Sequence, residues 1–257
     1  MAAPDTSQQV RKLISEALTA RTAPSYHRRV DALMKMGTRE VFDASARLLT
    51  SKWAKDRKLG ADVLSQLGYQ SNRRRFKNRS VPLLVNLLLN ERESSVKAAA
   101  ITALARLQAR SAIPALVGFA ADPSSDVRWA VAAELIWCTW DSGAEHPDPR
   151  VTSTLIKLSS DRAGVVRNWA CFSLASSDLD TPEIREVFWH HARDRHHDTR
   201  MEALRGLARR RDPDVRIPLR EAVQAIGWGH LGTWLMDDLI EYANAIDDKA
   251  LAAVLVG

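Results

Sequence analysis

Residues 122–135 read DPSSDVRWAVAAEL, and three other stretches align with them without a gap: ERESSVKAAAITAL at 91–104, DRAGVVRNWACFSL at 161–174 and DRHHDTRMEALRGL at 194–207. Each begins with an acid and places a basic residue six positions later, giving Glu91/Lys97, Asp122/Arg128, Asp161/Arg167 and Asp194/Arg200. Three residues beyond the base stands a small side chain, Ala100, Ala170 or Ala203, with Val131 in the second copy; four further on stands Leu104, Leu135, Leu174 or Leu207. A weaker fifth copy runs from Ser51 through Arg57 to Leu64 and has lost its acid. The basic residues lie 40, 31, 39 and 33 positions apart, so the connecting lengths vary while this kernel holds. Repetition at such a period means stacked supersecondary units, each too small to bury its own apolar face.

The kernel has a direct physical reading. The acid precedes a helix, where it can cap exposed N–H groups and meet the positive end of the dipole. The base, one turn in, reaches an acid in its own or an adjacent repeat and forms a ladder along the stack. The small residue lets a neighbouring helix approach, and the Leu four positions later lies on the same inward face. Amphipathic stretches beginning near Val81, Ala112, Arg150 and Pro182 supply the partner helices, with Pro82, Pro114 and Pro182 near their starts, where a missing N–H costs little. At the ends of the chain, helices are expected over about 6–20, 24–36, 38–51 and 53–68, and over about 229–245 and 247–256.

These acid-x5-Arg pairs, with their Ala and Leu, resemble the HEAT-repeat family, and more closely its short bacterial form named after phycobiliprotein lyases. The resemblance implies an all-α, right-handed solenoid of about five to seven helix pairs. One repeat domain over 1–257 is expected, with degenerate repeats over 1–78, clear repeats over 79–211 and capping helices over 212–257. The same solenoid carries scaffolds, lyases, hydroxylases and glycosylases, so function must be argued from side chains.

Composition narrows the classes. A hydrophobic share of 46% beside 26% charged residues suits a folded globular chain, and 11 Gly with 10 Pro disfavour a turn-rich sandwich. No apolar run is long enough to cross a bilayer, and the opening MAAPDTSQQVRK lacks a secretory layout, so a cytoplasmic protein with no membrane contact is expected. Cys138 and Cys171 form neither a disulfide framework nor a metal pair and read as buried small apolar groups. The net charge of +6 hides an asymmetry: residues 1–120 hold 21 Lys and Arg against 9 Asp and Glu, and residues 121–257 hold 16 against 22. The front half can attract an acidic partner or nucleic acid, or it is a solvated basic surface.

In the resembled family the kernel helix lines the concave side. Counting 100° per residue from Val127 puts the core direction near about 40°, and Trp129, Trp137 and Trp140 at about 200°, 280° and 220°. The matching faces of the other kernels carry Arg106, Phe172, Arg205 and Arg209. Aromatic rings flanked by arginines suit a protein-recognition groove. Alternatively, the tryptophans pack under the insertion at 141–149. Arg73, Arg74, Arg75, Lys77 and Arg79 crowd a long loop beside Tyr69 and Phe76, forming either an acidic-partner or nucleic-acid contact or a solvated loop. The arginines at 209–211 end a helix, where positive charge needs no ligand.

Catalytic signals are sparse. No phosphate-binding loop, nucleophile elbow or nucleophile–base set occurs, and no cofactor is implied. His190, Asp194, His196, His197 and Asp198 cluster, but Asp194 is already a ladder acid, so no metal site is expected; nor is there a His-Glu dipeptide of the kind the family's iron hydroxylases use. The family's alkylpurine DNA glycosylases place a Trp and an Asp on a concave helix. Trp137 and Asp141 have suitable spacing, which makes Asp141 the catalytic residue of an alternative, DNA-binding reading. The favoured expectation is a non-catalytic protein that grips a protein partner, acidic in character, along its Trp- and Arg-lined face.

Overall fold

A computed structural model describes residues 6–69, 75–139, 148–226 and 233–256, and among these residues the regular structure is entirely helical. The chain divides into two compact units, Met1–Pro147 and Asp148–Gly257. The first holds α1 (Thr6–Leu18), α2 (Ala23–Met36), α3 (Arg39–Leu48), α4 (Ala54–Leu64), α5 (Lys77–Asn90), α6 (Ser94–Arg106), α7 (Ile113–Gly118) and α8 (Ser125–Glu134). The second holds α9 (Pro149–Ser159), α10 (Gly164–Ala175), α11 (Pro182–His191), α12 (His197–Arg209), α13 (Arg216–Ile226), α14 (Thr233–Ala245) and α15 (Lys249–Val256). Taken two by two, the described helices make seven pairs and a terminal helix, the upper end of the expected range. None of them is long and apolar enough to cross a membrane.

The helix ends follow from local chemistry. Thr22, Thr38, Asp148 and Thr181 each accept a backbone N–H at the start of α2, α3, α9 and α11, and proline occupies the first turn of α2, α7, α9 and α11. Pro82 departs from its expected place. Helix α5 begins at Lys77, so the proline sits inside the helix, where its nitrogen cannot bond the preceding turn. Helix α2 stops at Gly37, whose φ of 59° is left-handed, and the Gly68 N–H bonds the Met34 carbonyl at 2.8 Å. A Cβ on Gly37 would lie 3.0 Å from the Gly68 Cα, so this crossing of two chain segments requires glycine on conformational and steric grounds.

The kernel positions form the core. Ala100, Val131, Ala170 and Ala203 are fully buried, as are Leu104, Leu135 and Leu207, with Leu174 at 1% exposure. The degenerate copy keeps the logic with Gly60 in the small position. A Cβ there would meet the Ser45 carbonyl at 2.8 Å, so α3 and α4 pack backbone against backbone. Within the first unit α4 packs on α6 and α6 on α8; within the second α10 packs on α12 and α12 on α14. Each buried Leu contributes about 1.5–3 kcal/mol relative to exposure. In the segment over 212–257, α14 stacks on α12 as one kernel helix does on the next, and α15 packs against both α13 and α14.

Candidate functional site

The kernel bases turn toward the next repeat. Arg57 grips Glu91 with two bonds, Nε to Oε2 at 2.6 Å and Nη2 to Oε1 at 2.9 Å. Lys97 Nζ reaches Asp122 at 2.7 Å, and Arg167 holds Asp194 through Nε and Nη2, both at 2.8 Å. The arginines also donate to the carbonyl six residues back: Arg57 to Ser51, Arg128 to Asp122, Arg167 to Asp161 and Arg200 to Asp194. The acids in turn accept N–H groups of their own turns, as Asp122 does from Ser124, Asp161 from Ala163 and Asp194 from His196. Burial raises the Glu91 carboxyl, but Arg57 and the N–H groups of Glu93 and Arg92 outweigh it and hold the group at about 2. Asp194, partly buried, is likewise held well below the usual range by Arg167, His196 and His191. Arg57, Lys97 and Arg167 thus tie successive repeats together.

Three expected partner-binding residues share the first unit. Arg106, at the end of α6, is exposed; Trp129 on α8 and Trp137 in the 3-10 turn that follows are half-buried. Helix α6 packs against both α8 and that turn, which brings the three elements together. Glu134 lies among them: burial raises its carboxyl, opposed by the charge of Arg106 and a hydrogen bond with Thr102.

The second unit treats its residues differently. Phe172 is half-buried and meets Trp169 edge to face, with centroids 5.2 Å apart. Arg205, expected to offer donors to a partner, is only 3% exposed. Its Nε donates to Glu202 at 2.7 Å, Nη1 to Asp238 at 2.8 Å, and Nη2 to Ser176 Oγ at 3.1 Å and the Phe172 carbonyl at 3.3 Å; its guanidinium lies 5.0 Å from the Phe172 ring centroid. The expectation of a free cation is therefore corrected: α14 delivers Asp238 onto α12, and Arg205 becomes a buried spoke joining α10, α12 and α14. Arg209 is more open, yet it also donates to Asp238, at 2.8 Å.

The basic loop is only partly described. Arg75 is exposed, Lys77 opens α5 half-buried, and exposed Arg79 lies 4.4 Å from the Phe42 ring, itself stacked on Phe76 at 4.9 Å. Arg73, Arg74, Trp140 and Asp141 lie outside the described residues, as does most of the 141–149 insertion. His191 is 3% exposed with Nδ1 3.0 Å from Asp194, and His196 Nδ1 accepts the Thr199 N–H at 3.4 Å. Among the described residues no three His, Cys, Asp or Glu side chains converge as metal ligands. Both cysteines are buried, which pushes their thiols upward, Cys138 to about 12, so neither is poised as a nucleophile.

A second set of ion pairs in the second unit escaped the sequence reading. Arg185 reaches Asp212 at 2.9 Å, and Arg216 and Arg220 converge on Asp248 at 2.5 and 2.7 Å. Each acid directly follows a left-handed residue, Arg211 (φ 49°) or Asp247 (φ 51°), two positions past a kernel helix. The signal was an Asp at that place, in Arg-Arg-Asp and Ile-Asp-Asp, but the matching place after α6 holds Ala109 and hid the pattern. Arg210 binds the carbonyls of Leu174, Ser177, Leu179 and Gly206, closing the ends of α10 and α12 as its position at a helix terminus suggested.

Comparison with known proteins agrees with this geometry. A family model described as HEAT repeats matches residues 81–175 and 152–226. Protein YibA of Escherichia coli strain K12 is 29% identical over 205 residues, covering 77% of this chain and 67% of its own. The X-ray structure of YibA superposes with a TM-score of 0.65 at 24% identity, covering 99% of this chain and 90% of that one. A Kap121p mutant gives a TM-score of 0.61 at 14% identity, over 97% of this chain and 28% of its own. With the repeat model spanning more than half of its length and the ladder in place at successive kernels, the chain belongs to the HEAT-repeat family.

Proposed function

We propose that this protein is a non-catalytic interaction protein, acting in the cytoplasm, that binds an acidic protein partner through the kernel-helix face of its first unit. Trp129 and Trp137 are the anchors and Arg106 the charged contact. One observation carries the reading: on α6, α8 and the turn after α8, an exposed arginine stands with two half-buried tryptophans. The equivalent face of α12 buries its arginine in an ion cluster, so the two units do not offer the same surface. Large flat side chains of low conformational entropy beside a guanidinium are what protein hot spots are made of. The surplus of positive charge in residues 1–120 selects for an acidic partner by long-range attraction.

The test compares wild type with Trp129→Ala, Trp137→Ala and Arg106→Glu in quantitative affinity capture from cells of the source organism, with helicity checked in parallel. Proteins held by wild type and lost by all three folded variants support the reading. Equal retention by the variants, or unfolding of both tryptophan variants, sinks it. Duplex-DNA anisotropy at low and physiological salt is the companion arm. Binding that persists at physiological salt and falls on neutralising Arg73, Arg74 and Arg75 replaces it with the nucleic-acid reading, and base-release assays on Asp141→Asn would follow.

A further inference from the structure

The turn before α4 breaks the rule that every later kernel keeps. Where the other copies place an acid it has Ser51, and where they place Glu93, Ser124, Ala163 or His196 as the residue capping the helix it has Trp53. Ser51 takes over the turn, accepting the Trp53 N–H at 3.2 Å and donating to Asp56 at 2.8 Å. Trp53 is left 57% exposed, unusual for the largest apolar side chain, with Lys52 Nζ 5.0 Å from its ring centroid. Between this turn and the next lies an open cavity of about 360 Å³, lined by Leu49, Ser51, Leu87, Asn90 and Arg92 among others, with the mutually neutralised Arg57 and Glu91 in its wall; Trp53, two residues beyond Ser51, stands outside that lining. Leu89, adjacent to Asn90, is 60% exposed.

We infer that this edge of the first unit docks an acidic peptide segment of a partner protein, one apolar side chain entering the cavity against Leu49 and Leu87, a neighbouring residue meeting the exposed Trp53 ring, and flanking carboxylates meeting the surrounding cations. Charge complementarity selects the occupant. Arg47 near the end of α3, Lys52 and Arg92 on the two turns, and Lys55 in the first turn of α4 are exposed and make no ion pair among the described residues, whereas the acids there are exposed Glu93 and half-buried Asp56, which accepts from Ser51. Losing the kernel acid at Ser51 adds to that positive excess. The N-termini of α4 and α6 both open on this edge without a side-chain cap, which adds partial positive charge to the same place. The inference goes beyond the function proposed above, because it concerns the inter-helix turns and not the face carrying Trp129 and Trp137.

The experiment selects a library of random dodecapeptides on the intact chain and measures the recovered peptides against three variants. Acidic peptides bearing an aliphatic or aromatic residue are expected, weakened about tenfold or more by Trp53→Ala and by Lys52→Glu/Lys55→Glu, and unchanged by Trp137→Ala. The charge-reversal variant keeps Trp53 in place, so it decides the matter even if Trp53→Ala lowers stability. No enrichment of acidic peptides, or peptides that bind the edge variants as tightly as wild type, overturns the inference. So does an oligothymidine probe that binds wild type, is lost in the same variants, and meets no peptide competition. Failure here with success of the Trp129 and Trp137 test leaves the first proposal standing.

Discussion

Asp194→Ala removes the most heavily used carboxylate of the repeat ladder, and its cost can be worked from the contacts. The side chain is 7% exposed, and its two oxygens accept from Arg167 Nε and Nη2, from the His196 N–H at 2.8 Å, and meet His191 at 3.0 Å. Breaking a buried ion pair from one side costs about 3–5 kcal/mol, because the partner charge stays behind. Arg167 keeps its Nη1 bond to the Asp161 carbonyl at 3.0 Å, which pulls toward the lower end of that range. Losing the acceptor for the N–H of His196, the residue that caps α12, adds about 1 kcal/mol. A total near 4 kcal/mol is a large share of the ~5–15 kcal/mol that holds a typical domain. Asp31→Ala is the control. Its partner Lys35 is as close, at 2.7 Å, but the two side chains are 40% and 44% exposed and its other contact, the Tyr69 hydroxyl at 3.0 Å, is exposed too, so its loss should cost far less. Urea titrations followed by far-ultraviolet circular dichroism measure both. Adding Arg167→Met to Asp194→Ala should recover part of the loss, since no charge is then left buried. If Asp194→Ala costs no more than Asp31→Ala, the ladder is decoration and apolar packing alone carries the stack.

Gly206→Ala should destabilise although alanine favours helices by about 1 kcal/mol. The new Cβ would fall 2.5 Å from Cζ of the fully buried Phe188, a rigid ring with nowhere to turn, and a net loss of about 1–2 kcal/mol in the same titration is expected. A neutral or stabilising result would mean that α11 and α12 sit further apart than described. Stability should also fall in two steps on acidification. Burial and neighbouring His190 and Arg167 hold the His191 imidazole below its ordinary value against the pull of Asp194, so below about pH 6.5 the unfolded chain takes a proton that the folded one refuses. Glu91, at about 2, and Asp194, also depressed, keep their stabilisation above the ordinary carboxylate range and lose it as pH falls toward their folded values. Urea midpoints across pH check this: His191→Asn should abolish the first step and keep the second. A wild-type profile flat between pH 7 and pH 5 contradicts it.

How much of this was legible depends on whether a residue answers to its neighbours in sequence or to a distant repeat. The ladder was readable because its geometry is local at both ends. An acid at a helix start and a base one turn later recur with fixed spacing, so Arg167 and Asp194 announce themselves separately and the stack brings them together. Arg205 carried no such announcement. Its angle around α12 was right, but its fate was decided by Asp238, 33 residues on and in a helix whose kernel pattern has decayed. Asp212 and Asp248 were missed for a related reason. They depend on a left-handed residue after a helix, here Arg211 and Asp247 where glycine would have given the turn away. Trp53 was passed over because the degenerate copy was read for what it had lost. In the structure, the lost acid adds to the positive excess of that edge.

That contrast bears on where function can reside in a repeat protein. The same residue type serves as ladder rung in Arg167, as carbonyl clamp in Arg210, as buried spoke in Arg205 and as open cation in Arg106. What separates them is whether the neighbouring helix or turn supplies an acceptor: Asp194 for the rung, the ends of α10 and α12 for the clamp, Asp238 for the spoke. A position whose acceptor arrives is consumed by the fold, and substituting it costs stability. A position whose acceptor is withheld, as at Lys52 beside Ser51, keeps its charge for a partner, and exposed Arg106, though it faces half-buried Glu134, is expected to do the same; substituting either should cost binding alone. Measuring both quantities on Arg167, Arg205, Arg106 and Lys52 therefore tests the division itself. Binding loss in a fully stable variant is expected only for the last two, and its appearance in an Arg205 variant would show that a buried spoke and a binding residue can be the same side chain.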